Sequence, residues 1–73
     1  MMELSKKMKL LEELLEVEAG EINADTLLDD IESWDSMAKL SLIVMMEEEC
    51  KKPLSGDTIR SFTSVQDILD YMD

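Results

Sequence analysis

WDSMAKLSLIVMMEEEC, Trp34 to Cys50, is the stretch on which the fold turns. Asp35-Ser36 supplies small polar residues of the kind that open helices. Lys51-Lys52-Pro53 ends the run, since cations suit a helix carboxyl end and proline cannot readily continue it. Stepping about 100° per residue sorts what lies between into two apolar faces. Leu42, Ile43, Met46 and Cys50 gather on one; Met37, Leu40, Ser41, Val44 and Glu48 gather on the other. A helix apolar nearly all round belongs in the middle of a large core, and 73 residues cannot surround it. One face is expected to meet the core and the other a partner.

Before this helix, Leu4, Met8, Leu11 and Leu15 fall at helical spacings, and Leu10 and Leu14 widen the stripe. Lysines and glutamates fill the rest, which predicts an amphipathic helix over residues 3–17, closed by Gly20. Residues 20–35 hold no sustained period, so they read as a long loop tucked onto the core by Ile22, Leu27, Leu28 and Ile31. After Pro53 a short helical turn is expected over residues 57–61. Ser64 then caps a last helix, with Asp67 answering it three residues on and Val65, Ile68, Leu69 and Met72 as its buried stripe. The expectation is an all-α fold, a small bundle of three principal helices plus one short helix, with residues 1–73 as one domain.

Composition narrows the function. With one cysteine and no histidine, neither an internal disulfide nor the common zinc ligand sets can form. That points to a reducing, cytoplasmic setting and a fold held by apolar packing. Seven methionines either replace leucine in that core or let it rearrange around a guest. Eighteen acidic residues against seven basic give a net charge of −11, which repels nucleic acid and anionic lipid and attracts proteins with basic patches. The same charge favours a monomer. No apolar run is long enough for a membrane span, and Glu12, Glu13 and Glu16 interrupt any signal-type segment.

Catalytic machinery is missing. Ser-His-Asp and Cys-His arrangements need a histidine, Cys50 reads as a small core residue, and Gly20 and Gly56 stand alone rather than in a phosphate-cradling loop. The acidic stretch from Asp25 to Asp35 lacks the alternating ligands and central glycine of a calcium loop. No metal site and no enzyme is expected.

Trp34-Asp35-Ser36-Met37, followed by Leu40, Leu42, Ile43, Met46 and Glu47-Glu48-Glu49, resembles the attachment motif and recognition helix of the acyl carrier protein family. Phe62-Thr63-Ser64-Val65 and Ile68-Leu69 resemble its closing segment, so the likeness covers nearly the whole chain. The resemblance implies a freestanding carrier. A phosphopantetheinyl transferase would move 4'-phosphopantetheine from coenzyme A to the Ser36 hydroxyl, and the arm's thiol would hold an acyl group as a thioester. It further implies that Asp35, Met37, Leu40, Val44, Glu47 and Glu48 face partner enzymes. These would be acyl-loading and acyl-transfer or condensing enzymes with basic patches, as in fatty acid or polyketide biosynthesis. Met46, Leu54, Ile59, Phe62 and Ile68 would line a space that shelters an acyl chain, or serve simply as core.

Ala38, Lys39 and Ser41 depart from the more acidic recognition helix of fatty-acid carriers, and Cys50-Lys51 replaces the commoner aromatic residue and glycine. These departures favour a dedicated pathway. Trp34, found in only part of the family, packs either beside the arm or under the loop. An aminoacyl or peptidyl carrier is the near alternative. An unmodified acidic interaction module, with Ser36 merely capping its helix, is the distant one.

Overall fold

The computed structural model describes residues 3–72. In chain order these form α1 (Leu4–Leu15), a single 3₁₀ turn (Leu28–Asp30), α2 (Ser36–Cys50), α3 (Gly56–Ser61) and α4 (Val65–Tyr71). Among the described residues there is no strand, only one isolated antiparallel bridge between Leu27 and Ser64. The small all-α bundle read from the sequence is the fold observed.

Helix α1 packs against both α2 and α4. Between these helices Leu11, Leu15, Leu42, Met46, Val65, Ile68 and Leu69 are almost wholly withdrawn from solvent, with Leu28 delivered from the loop. Full burial of each such side chain contributes about 1.5–3 kcal/mol. The Cα radius of gyration is 11.0 Å, close to the roughly 11 Å that compact packing gives at this length.

The first helix departs from its prediction in three ways. Leu4 is 61% exposed, whereas Lys7, assigned by its charge to the outer side, is only 5% exposed. Its alkyl stem runs through the core, and its ammonium donates to the Leu69 carbonyl at 3.4 Å, close to the negative end of α4. Closure is also not by Gly20. Glu16 takes the left-handed conformation with φ 58°, and Val17 N–H returns to the Glu12 carbonyl at 3.0 Å. Gly20, at φ 85°, lies in the following turn, where its N–H meets Glu12 Oε2 at 2.9 Å.

The long loop has more internal structure than its lack of periodicity suggests. Asn23 Oδ1 accepts the Asp25 N–H, and Thr26 Oγ1 accepts the Asn23 N–H, both at 2.9 Å. Beyond that turn the backbone is stitched to the head of α4. Val65 N–H donates to Thr26 O and Gln66 N–H to Ala24 O, while Leu28 N–H donates to Thr63 O, all at 2.9 Å. The loop therefore satisfies two of the amides that a helix start leaves unpaired. Ile22, Leu28 and Ile31 tuck inward as expected, but Leu27 is 52% exposed, because its backbone makes the bridge and its side chain is left outside.

At its far end α4 is held by Lys52, whose ammonium donates to Tyr71 O at 2.8 Å. Tyr71 in turn donates its hydroxyl to Pro53 O and packs edge-on against Phe62, with ring centroids 5.8 Å apart.

Candidate functional site

Asp35 holds extended backbone angles and its Oδ1 accepts the Ala38 N–H at 2.9 Å, so Asp35, not Ser36, is the N-cap of α2. The Asp35 carbonyl takes the Lys39 N–H at 3.0 Å. Ser36 is therefore the first residue within the helix, exposed, and its hydroxyl has no hydrogen-bond partner among the described residues. The amides of Ser36 and Met37 likewise have none. This overturns the reading in which Ser36 is needed as a cap. A free hydroxyl beside unpaired amides, at the positive end of a 15-residue helix, suits a covalently held phosphate.

The outer face of α2 is where the two-face reading put it. Met37, Leu40 and Val44 are 70%, 59% and 54% exposed, and Ser41, Glu47 and Glu48 are exposed with them. The inner face holds Ala38, Leu42 and Met46. Leu10 of α1, which the sequence assigned to the buried stripe, is half-buried and walls a shallow groove of about 390 Å³ with Met37, Leu40, Ser41, Val44 and Met45. That wall comes from the packing of α1 on α2, so no pattern within α2 could have shown it.

Met46, Leu54, Ile59 and Ile68 are buried and Phe62 is half-buried, all within one core. Leu54 also edges an open cleft with Ile43, Val44, Glu47, Glu48 and Pro53. Cys50 is half-buried, and burial pushes its thiol above the ordinary cysteine value, with Lys52 opposing and Glu49 reinforcing that effect. A thiol so placed is a poor nucleophile. Trp34 is half-buried against the core, and the Lys39 ammonium stands 5.8 Å from its ring centroid.

Residues 8–72 match the family of phosphopantetheine attachment sites. The chain belongs to that family. It is thus a member of the acyl carrier protein family, whose domains attach a 4'-phosphopantetheine prosthetic group and are not themselves catalytic. Neither a curated protein nor a solved structure matches the carrier chain significantly. Among its described residues no helix is long and apolar enough to cross a membrane, and no cluster of metal-ligating side chains occurs.

Proposed function

We propose that Ser36 is the attachment residue and that this chain is a non-catalytic carrier presenting acyl groups to the enzymes of a dedicated biosynthetic pathway. The observation that carries the reading is the division of labour at the head of α2. Asp35 does the capping, which leaves the Ser36 hydroxyl exposed and without a partner among the described residues. When bound, the arm supplies a terminal thiol able to hold an acyl group as a thioester. The chain's own residues anchor and present it. Ser36 contributes the oxygen of the phosphodiester, and the neighbouring amides and helix dipole stabilise its negative charge. No base is needed beside Ser36 if the transferase brings its own.

Recognition falls to the outer face of α2 with its acidic end. Exposed Met37, Leu40 and Val44 offer apolar contact beside Asp35, while Glu47 and Glu48 offer charge to a basic patch. A net charge of −11 adds steering toward such partners, the phosphopantetheinyl transferase and loading or condensing enzymes among them. The same net charge supports a monomer, and the single free cysteine supports a reducing, cytoplasmic setting.

The test is intact-protein mass after incubation with coenzyme A, magnesium and a broad-specificity phosphopantetheinyl transferase. A gain of one phosphopantetheine, lost in Ser36→Ala, is expected. No gain in the folded native chain, with the transferase active on another carrier, would sink the attachment reading.

A further inference from the structure

Lys39 is the only cation between Lys9 and Lys51, in a stretch dense with carboxylates. Its position is electrostatically awkward, because a positive charge in the first turn opposes the helix dipole. Nor is it offset by an ion pair. Lys39 makes none among the described residues, and the nearest helical carboxylate, Asp35, is engaged with the Ala38 amide. Instead the ammonium stands over the Trp34 ring at 5.8 Å from its centroid, in the range where the aromatic quadrupole attracts a cation. Both residues are half-buried.

Lys39 also lies three residues after Ser36, and residues three apart on a helix are neighbours with Cβ atoms about 5–6 Å apart. A cation with no anion of its own among the described residues thus lies one helical turn from the hydroxyl assigned to the arm. From this juxtaposition we infer that Lys39, braced by Trp34, binds the phosphodiester formed on Ser36 and orients the first part of the arm. The inference rests on Ser36 as the attachment residue. The bound phosphate takes two kinds of donor: the unpaired amides of Ser36 and Met37, and the Lys39 ammonium at its flank. The Lys39 charge also offsets the repulsion between that phosphate and the nearby carboxylate of Asp35. Trp34 gives up part of its contact with the ammonium when the phosphate arrives, which makes the ring a reporter.

The experiment compares apo and phosphopantetheinylated protein for the native chain, Lys39→Gln and Lys39→Arg, with intact mass establishing that each is modified. Phosphorus NMR reads the phosphodiester, and fluorescence reads Trp34, the chain's only tryptophan. In the native chain, modification should change Trp34 emission. In Lys39→Gln the apo and modified spectra should coincide, and the phosphorus resonance should move from its native position. Lys39→Arg should restore both. The phosphorus difference should shrink with added salt, as expected for charges near the surface. A Lys39→Gln phosphorus resonance that overlays the native one at low salt overturns the inference. A normal mass gain with that overlay removes only the role of Lys39, whereas a missing gain on the native chain removes the Ser36 reading and this one with it.

Discussion

Asp35 and Ser36 stand side by side at the head of α2 with different work, and substitutions can separate the two. The Asp35 carboxylate satisfies the Ala38 amide at 2.9 Å, a bond that asparagine can also make and alanine cannot. Asp35→Ala should therefore destabilise the fold by about 1 kcal/mol, and Asp35→Asn by much less. Urea unfolding of the apo proteins measures this. If partners read the charge of Asp35, Asp35→Asn should still raise the transferase KM despite its intact fold. Two other residues carry a conformational cost. Glu16 and Lys51 close α1 and α2 at φ 58° and 57°, where a side chain is disfavoured and glycine is not. Lys51→Gly should stabilise the chain by about 0.5–1 kcal/mol, the relief of left-handed strain exceeding the entropy that glycine adds to the unfolded state. A melting temperature unchanged or lowered in Lys51→Gly would show that the Lys51 side chain contributes something beyond the cap.

The helix α4 is short, seven residues, and depends on its ends. At its head the Asp67 carboxylate accepts the Thr63 N–H and hydroxyl at 2.8 and 2.9 Å and the Ser64 N–H at 3.2 Å. The Thr63 backbone bond is the main reason its pKa lies below the ordinary carboxylate value, with the Thr63 hydroxyl next and the Ser64 amide after it. A depressed folded-state pKa gives stability that is present above the unfolded value and lost as pH falls through the folded one. Unfolding midpoints from neutral pH into the acid range should thus decline less steeply in Asp67→Asn than in the native chain, with the difference confined to acid. Ser64 and Asp67 made this start legible in the sequence, as Asp35 and Pro53 did for α2, because capping is written in side chains. The rest of α4's support was not legible. Thr26 O and Ala24 O meet its first amides through backbone atoms, which leave no mark on residue choice. Lys7 and Lys52 reach its last carbonyls only because distant segments converge there, so their charge alone placed Lys7 wrongly on the surface. For the site, the exposed face of α2 was readable from period, whereas Leu10 as its opposite wall needed the packing of α1 on α2.

At the scale of the whole molecule the open question is where the cargo goes. Met46 and Ile68 have no exposed surface, and Leu54 and Ile59 retain only 7% and 4%. An acyl chain sheltered among them must displace existing packing, since interiors are close-packed and leave few voids. Two features favour such an opening. Met46 is flexible enough to adopt other rotamers, and α3, at six residues, is the shortest α-helix bounding that region. A buried chain gains about 0.8 kcal/mol per CH₂ removed from water, and any ligand that prefers the folded state raises its melting temperature. If Met46, Leu54, Ile59, Phe62 and Ile68 receive the chain, melting temperature should climb from the holo form through acetyl to octanoyl cargo. Hydrogen exchange should meanwhile change in α3 and at the end of α2 but not in α1. Equal melting temperatures for acetyl and octanoyl forms would mean that cargo rides outside on the arm. These five residues would then be core alone, and selection of cargo would rest entirely with the loading enzyme.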